Sequence, residues 1–290
     1  MTPVRALIQG RDSVLLMGVL NRTPDSFSDG GEFLEEEAAL ARVRAMIAEG
    51  AEIVDVGAES TRPGSTPVPA SEQLTRIGGV VRAAAALGVI VSIDTTLPEV
   101  AERALDDGAT VVNSTSLDPA AELGELAARR GAALVLMHSR GSMAEMQGFS
   151  LYADDAYGDV VADVAREWHE AARRALARGL PREDLILDPG LGFAKNARQS
   201  LELCARLDEL CALGFPVLVG PSRKSFVARA AAAPGEPLAP PEDRLGGTIA
   251  ATLACTEKGA AIARVHDVGP VRQALRVAAA IRASMEERHA

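Results

Sequence analysis

Eight short apolar runs alternate with longer segments of helical periodicity along the chain. The runs are of strand length and mostly aliphatic, and they cover residues 14–20, 52–56, 89–93, 110–112, 133–137, 185–187, 216–219 and 261–265. Helical spacing is clear at Leu40, Val43 and Ile47, and residues 96–99 are predicted to begin a helix with a capping box and a first-turn proline. Eight strand–helix units in about 250 residues predict an α/β fold, a (β/α)8 TIM barrel. A doubly wound sheet would have fewer strands and an early glycine-rich turn.

The length of 290 residues suits one large domain, and we predict a single domain over residues 1–290. Aromatic residues are 3% of the chain, so aliphatic side chains must fill the core, as they do where helices pack on buried parallel strands. Residues 1–13 are predicted to form a short hairpin under the barrel. Residues 230–241, rich in alanine and proline, are predicted to be an exposed connection within the seventh unit.

Charge and hydropathy exclude several classes of protein. The net charge of −10 disfavours attraction to nucleic acid or to an anionic membrane, so any anion site must be local. No apolar stretch reaches the roughly 20 residues of a membrane helix. Arg5 and Arg11 interrupt the N-terminus before a signal-peptide core could form, so the cytoplasm is the expected compartment. Cys204, Cys211 and Cys255 lack metal-type spacing and are expected to be buried free thiols.

Polar residues follow every predicted strand, where a TIM barrel carries its active site. In chain order they are Asn21, residues 25–31, Asp55, Glu59, Thr61, Arg62, Asp94, Asn113, His138, Asp188, Ser222, Arg223, Lys224, Ser225, Arg264, His266 and Asp267. Any one of them alone is most often a helix cap or a turn former. Together, eight polar strand ends predict one polar cavity.

Lys224 is notable because the chain otherwise prefers arginine and has three lysines, Lys195, Lys224 and Lys258. Lys258 lies near a predicted helix end and is interpreted as a surface charge. Residues 189–195 are superficially similar to a phosphate loop but lack its Gly-Lys-Ser/Thr ending, so we do not interpret them as one. No Gly-x-Ser-x-Gly elbow or His-Glu-x-x-His helix occurs in the sequence. His169 and His289 are expected at the surface.

Several strand-end segments follow one another in a fixed order along the chain. The first covers residues 17–31, Met-Gly-Val-Leu-Asn-Arg-Thr-Pro-Asp-Ser-Phe-Ser-Asp-Gly-Gly, and the second residues 55–64, Asp-Val-Gly-Ala-Glu-Ser-Thr-Arg-Pro-Gly. The later segments are Ser92-Ile93-Asp94-Thr95, Leu136-Met137-His138, Asp188-Pro189-Gly190, Ser222-Arg223-Lys224-Ser225 and Arg264-Val265-His266-Asp267-Val268. These segments, in this order, resemble those of the dihydropteroate synthase family. The resemblance spans about residues 14–280 and implies a pterin-binding (β/α)8 barrel.

The resemblance implies a reaction and a set of site residues. The reaction joins 6-hydroxymethyl-7,8-dihydropterin diphosphate to para-aminobenzoate, releasing diphosphate, with Mg²⁺ as cofactor, a homodimer as assembly and sulfonamides as inhibitors. The catalytic residues it implies are Asn21, Asp94, Asp188 and Lys224, with Asn21 as the metal ligand. The pterin-binding residues are Asp94, Asn113, Asp188 and Lys224, and the diphosphate-binding residues are Asn21, Thr61, Arg62, Arg264 and His266. The para-aminobenzoate-binding residues are Thr61, Pro63, Phe193, Lys224 and Ser225. The loops 22–33 and 60–68 are expected to be mobile without ligand.

Four positions depart from the family's pattern. Arg22 replaces a small apolar residue, Ser114 an acidic residue, Ser139 a long side chain, and Ala194 the second glycine of a Gly-Phe-Gly-Lys pattern. None of them is a residue with an implied chemical role. Two alternatives stay open at this point: a weakened or non-catalytic pterin-binding paralogue, and a corrinoid methyltransferase acting on methyltetrahydrofolate. The latter family shares the aspartate and asparagine pocket but not the Ser-Phe-Ser-Asp-Gly-Gly loop.

Overall fold

Eight parallel strands form a barrel in the computed structural model, which describes residues 1–11, 13–22, 32–59, 65–141 and 150–286. The strands are β1 (Leu15–Asn21), β2 (Ile53–Gly57), β3 (Ile90–Asp94), β4 (Val111–Ser114), β5 (Ala133–Met137), β6 (Leu185–Asp188), β7 (Leu218–Val219) and β8 (Ile262–Val265). Their order is β6-β5-β4-β3-β2-β1-β8-β7. A parallel bridge between Leu187 and Val217 joins β6 to the start of β7 and closes the ring. The predicted TIM barrel is confirmed. Each predicted strand begins and ends within two residues of the corresponding observed strand.

Helices follow the strands and cover the outside of the barrel. They are α1 (Pro3–Ile8), α2 (Glu32–Glu49), α3 (Ala70–Ile77), α4 (Val80–Ala86), α5 (Pro98–Asp106), α6 (Ala120–Arg130), α7 (Val160–Leu176), α8 (Ala197–Ala205), α9 (Leu207–Cys211), α10 (Ser225–Ala231), α11 (Leu245–Glu257) and α12 (Val268–Glu286). None of the helices in the described ranges is both long and apolar enough to cross a membrane.

The start of α5 differs in detail from the prediction. Pro98 occupies the first helical position as expected, but this places the N-cap on Leu97, whose side chain cannot accept a hydrogen bond. The predicted capping box at residues 96–99 is therefore wrong. The Leu97 amide instead donates to the hydroxyl of Thr95, 3.2 Å away.

The N-terminal extension forms the helix α1, so the predicted hairpin is wrong. Pro3 opens the helix, and the hydroxyl of the N-cap Thr2 accepts from the Arg5 amide at 3.3 Å. Its location at the bottom of the barrel is as predicted. Val4 is buried there against the apolar residues inside the barrel, and the Thr2 hydroxyl donates to Asp184 at 2.7 Å.

Two apolar layers support the barrel, one outside the sheet and one inside it. The larger core packs the outer faces of the strands against the helices. The inner cluster fills the lower half of the barrel and contains Leu15, Met17, Ile53, Val111, Ala133, Val135, Ile186, Leu218 and Ile262. Side chains alternate along a strand, so the residue two positions beyond each inner apolar residue also points inward, nearer the top. This alternation carries Asp55, Asn113, Asp188 and Arg264 into the upper half.

Three smaller predictions are also confirmed by the structure, and a fourth, on the cysteines, is confirmed in part. Residues 232–240, between α10 and a short 3₁₀ turn at Pro241–Asp243, are largely exposed and have no regular structure. Lys258 is exposed and pairs with Asp208 at 3.3 Å. His169 is exposed. Cys204 and Cys255 are buried free thiols, whereas Cys211 is half-buried.

Candidate active site

An ion-pair cluster lies at the top of the barrel, between β2, β3, β4 and β8. Asp55, fully buried, accepts with Oδ2 from Arg264 Nε at 2.7 Å and from Asn113 Nδ2 at 3.0 Å. Arg264 Nη2 donates to Asp94 Oδ2 at 2.8 Å. One guanidinium thus bridges two carboxylates. The arrangement fixes the side chains of Asp94 and Asn113, two of the predicted pterin-binding residues, on neighbouring strands.

Burial changes the acidity of the two predicted catalytic aspartates. It raises the pKa of Asp94 to about 7, although Arg264 acts in the opposite direction. It also raises the pKa of Asp188, which is partly offset by the Lys224 ammonium and by the Gly190 amide, which donates to Asp188 Oδ1 at 2.7 Å. Because burial destabilises both carboxylate charges, positive charge that comes close to either of them is favoured.

Lys224 enters the same cavity from the start of α10. Its Nζ donates to the Leu191 carbonyl at 2.6 Å and lies 4.2 Å from the centre of the Phe193 ring. Burial lowers the pKa of Lys224 to about 8, although the Asp188 carboxylate acts in the opposite direction. The structure therefore brings together Lys224, Phe193 and Asp188, as the sequence predicted.

The chain direction at Lys224 depends on its neighbour Arg223, which has a left-handed φ of +60°. The guanidinium of Arg223 points away from the cavity and pairs with Asp267 at 2.6 Å, and its amide donates to the Thr248 hydroxyl at 3.0 Å. This local reversal allows Ser222 and Lys224 to face the site while Arg223 anchors the loop to α11.

His266 is held by Ser222, whose hydroxyl oxygen accepts from the His266 amide at 3.1 Å and lies 3.0 Å from His266 Nδ1. Burial lowers the pKa of His266 to about 4, with Arg264 and Arg223 adding to the effect. The ring is therefore neutral at pH 7 in the unliganded protein. The role of His266 in binding diphosphate stays a prediction, and in this state its ring can contribute a hydrogen bond.

The remaining predicted residues are placed less completely. Asn21 ends β1, and its Oδ1 and Asp94 Oδ2 are each 3.7 Å from the point where a Cβ of Gly57 would stand. Ser225 is the first residue of α10, and its hydroxyl is 2.9 Å from that of Ser150. Thr61, Arg62 and Pro63 lie outside the described residues, as do most of the loops 22–33 and 60–68 and His289.

Two residues to which the sequence pattern assigns no chemical role are central here. Asp55 was noted as a polar strand end, yet it is the hub that holds Arg264 and Asn113. Lys195 is fully buried below the cavity and contacts the loop that carries Phe193. The scarcity of lysine, which singled out Lys224, was an equally good signal for Lys195.

Comparisons with known proteins agree with this geometry. The family model described as "Pterin binding enzyme" matches residues 17–266. A dihydropteroate synthase of Synechocystis is 42% identical over 270 residues, covering 92% of this chain and 89% of that protein. The chain belongs to the dihydropteroate synthase family. A "Probable bifunctional folylpolyglutamate synthase/dihydropteroate synthase" of Haloferax volcanii is also 42% identical over 271 residues. The aligned region covers 93% of this chain but 31% of that protein.

Solved structures of the family share the fold. The dihydropteroate synthase of Thermus thermophilus in complex with 4-aminobenzoate is 44% identical with a TM-score of 0.77, covering 92% of this chain and 93% of that one. The same enzyme in complex with 6HMPPP is 43% identical with a TM-score of 0.76, covering 93% of this chain and 94% of that one. The chain is accordingly a transferase of folate biosynthesis.

Three of the four residues that depart from the family's pattern have a contact or a backbone conformation that bears on the departure. Arg22 is buried and donates from Nε to the Arg76 carbonyl at 2.8 Å, so it ties the end of β1 to α3. Ser114 donates to the Ser116 carbonyl at 2.8 Å. Ala194 has a left-handed φ of +49°, which explains why glycine is usual there in the family. Nothing in the structure explains Ser139.

Proposed function

We propose that this dihydropteroate synthase family member joins 6-hydroxymethyl-7,8-dihydropterin diphosphate to 4-aminobenzoate and releases diphosphate. The observation that carries the proposal is the cluster of polar and charged side chains at the top of the barrel, which brings Asp94, Asn113 and Asp188 together with Lys224 and Arg264. The proposal gains support from the Thermus thermophilus family member, whose complexes contain 4-aminobenzoate and 6HMPPP.

In this proposal, side chains in the upper half of the barrel form hydrogen bonds with the edge of the pterin ring. A pterin presents adjacent N–H donors and a carbonyl acceptor, which are matched by carboxylate acceptors and by amide and ammonium donors. Asp94 and Asp188 would accept from the ring, and Asn113 and Lys224 would donate. Asp55 and Arg264 hold Asp94 and Asn113 in place before the substrate arrives, so little reorganisation is needed on binding.

The diphosphate would lie above β8 and β1, against Asn21, Arg62, Arg264 and His266, with Thr61 beside it. The described residues are compatible with a Mg²⁺ site that has few protein ligands, because Asn21 Oδ1 and Asp94 Oδ2 lie on the same side of Gly57, each 3.7 Å from the position that a Cβ would take there. Mg²⁺ characteristically keeps water and substrate oxygens and takes one or two protein ligands. When bound through Asn21, it would supply positive charge to the leaving diphosphate.

The benzoate would lie by Phe193, Lys224 and Ser225, with Thr61 and Pro63 completing its site. An arylamine is neutral and nucleophilic at pH 7, so the reaction depends on departure of diphosphate more than on a general base. The C–O bond to diphosphate breaks, leaving a methylene cation stabilised by the pterin. The buried carboxylates of Asp94 and Asp188 favour that cation. The amine nitrogen then forms the new C–N bond and loses a proton.

Measuring diphosphate release tests the proposal directly. The protein is mixed with both substrates and Mg²⁺, and diphosphate and dihydropteroate are quantified together. We expect one diphosphate for each dihydropteroate, competition by a sulfonamide against 4-aminobenzoate, and loss of release when Mg²⁺ is chelated. Binding of the pterin without release would identify a non-catalytic paralogue. Methyl transfer from methyltetrahydrofolate to a corrinoid, without condensation, would identify the methyltransferase.

Two further assignments belong to the same proposal. We propose that the chain acts as a homodimer in the cytoplasm, as its family membership and the sequence led us to expect. Sedimentation of the purified protein at micromolar concentration gives the oligomeric state. A monomer with full activity would contradict the assembly.

A further inference from the structure

The loop between β6 and α8, residues 189–196, has a backbone that regular structure does not hold. Gly190, Gly192 and Ala194 all have left-handed φ values, of +66°, +79° and +49°. Gly190 can only be glycine, because a Cβ there would lie 2.0 Å from the His138 carbonyl oxygen. This loop carries Phe193, the residue whose ring packs against the Lys224 ammonium.

Lys195 ties this loop together from below. Its side chain is fully buried, and its Nζ donates to the Phe193 carbonyl at 2.9 Å and to the Gly190 carbonyl at 3.2 Å. It also contacts the His138 carbonyl at 3.3 Å and His138 Nδ1 at 2.9 Å. An ammonium has three donors and no acceptor, and each of these four partners can accept. One buried amino group therefore joins both halves of the loop to the end of β5. Burial lowers the pKa of Lys195, and the Asp188 carboxylate acts in the opposite direction.

The partners of His138 identify Lys195 as the donor in the contact with His138 Nδ1. His138 Nε2 lies 2.9 Å from a Glu167 carboxylate oxygen, which can only accept, so Nε2 carries the proton and Nδ1 is free to accept from Lys195. Burial and the Lys195 charge lower the pKa of His138 to about 4, which keeps the ring neutral. Glu167 also pairs with Arg140, so its charge is compensated.

A second tie reaches the loop from the same network. The Arg140 guanidinium stacks 3.8 Å from the centre of the Tyr157 ring, and the Tyr157 hydroxyl donates to the Ala194 carbonyl at 2.8 Å. Asp188, by contrast, is carried by β6, and its carbonyl accepts from the His138 amide at 2.9 Å. Losing the ties at Gly190, Phe193 and Ala194 would therefore release the loop while the strand that carries Asp188 stays paired, so the loss at Asp188 is limited to its hydrogen bond from the Gly190 amide.

We propose that Lys195 is a positioning residue for 4-aminobenzoate binding: it holds the 189–196 loop so that the Phe193 ring stays against Lys224. The inference rests on the proposed function for the identity of the ligand. It differs from a purely structural role for Lys195 in one respect. It predicts a selective loss at the benzoate side of the cavity, with the pterin side retained.

The test replaces Lys195 by methionine, a side chain of similar length without charge, and makes the same change at exposed Lys258 as the control. Amide hydrogen exchange of peptides covering residues 189–196 is measured without ligand. KM for 4-aminobenzoate and Kd for the pterin diphosphate are measured separately. For Lys195→Met we expect exchange in the loop at least tenfold faster, KM raised about tenfold and Kd changed less than threefold. Lys258→Met should resemble the parent in all three.

Each other outcome decides the proposal. Parent-like loop exchange and KM in folded Lys195→Met overturn it, and so do equal losses for both substrates or faster exchange throughout the barrel. If Lys195→Met does not fold, Tyr157→Phe decides: faster exchange confined to the loop with KM raised about twofold to threefold supports the proposal, and parent-like values overturn it. A parent chain that fails to condense the two substrates overturns the proposed function. The exchange arm then still decides whether Lys195 holds the loop.

Discussion

The lower and upper halves of the barrel interior are built by the same strands but have opposite chemistry. On β2 the inward side chain changes from Ile53 to Asp55 within two residues, and on β8 from Ile262 to Arg264. The lower half is apolar and is closed by α1, whereas the upper half is a network of buried charges with one carboxylate oxygen of Asp55 lacking a hydrogen-bond partner in the described part of the chain. Unpaired and strained polar groups in the upper half reduce the free energy of unfolding. The apolar packing of the lower half must offset that reduction.

The largest effect on stability is expected from the lower half. Ile53 is fully buried among the inner residues, so Ile53→Ala should reduce the free energy of unfolding by about 4 kcal/mol, through lost burial and a cavity. Turnover per folded molecule should stay within about twofold of the parent, because Ile53 does not reach the cavity. Denaturant titration and assays below the melting temperature measure both. Val277→Ala, on the exposed face of α12, is the control and should change stability by less than about 0.5 kcal/mol. A loss of turnover equal to the loss of stability would show that the two halves are not separable.

In the upper half, Lys224→Arg is expected to reduce turnover without reducing stability. Lys224 Nζ is confined between the Leu191 carbonyl and the Phe193 ring, where the wider planar guanidinium cannot take the same position. Turnover should fall about a hundredfold, close to 3 kcal/mol of transition-state stabilisation, while the melting temperature stays near that of the parent. Lys258→Arg at the surface is the matched control. Parent-like turnover in a folded Lys224→Arg protein would remove Lys224 from the proposed site.

Arg264 and His266 allow a finer comparison within the upper half. His266 contacts Ser222 and is not tied to the aspartates, so His266→Asn should weaken pterin diphosphate binding about tenfold and free pterin binding less than twofold. Arg264 holds both Asp55 and Asp94, so Arg264→Met should weaken both ligands. Calorimetry with pterin diphosphate and with free pterin measures the two dissociation constants. Equal losses for His266→Asn would move His266 from the diphosphate to the ring.

The sequence predicted the strands and most of the cavity because periodicity and strand-end polarity are local signals. The contacts that organise the cavity are not local. Asp55 and Arg264 are 209 residues apart in the sequence, and nothing in the Asp55 motif alone reveals its partner. The extension at residues 1–13 forms a helix and not the predicted hairpin because its Thr-Pro start is a helix signal. Burial of Lys195 was missed because a lysine in a loop is ordinarily exposed.

The smallest effect is expected for Ala194→Gly, which restores the glycine that is usual in the family. Three contributions nearly cancel. Relief of the left-handed φ of +49° gains about 1 kcal/mol, greater freedom of the unfolded chain costs about 0.7 kcal/mol, and loss of a fully buried methyl group costs about 0.8 kcal/mol. The free energy of unfolding should therefore change by less than about 1 kcal/mol, with turnover unchanged. Gly192→Ala in the same loop is the counterpart: it introduces a left-handed alanine next to Lys224 Cδ and should cost about 1–2 kcal/mol. A gain above about 2 kcal/mol for Ala194→Gly would mean that the loop stores strain that its buried contacts do not offset.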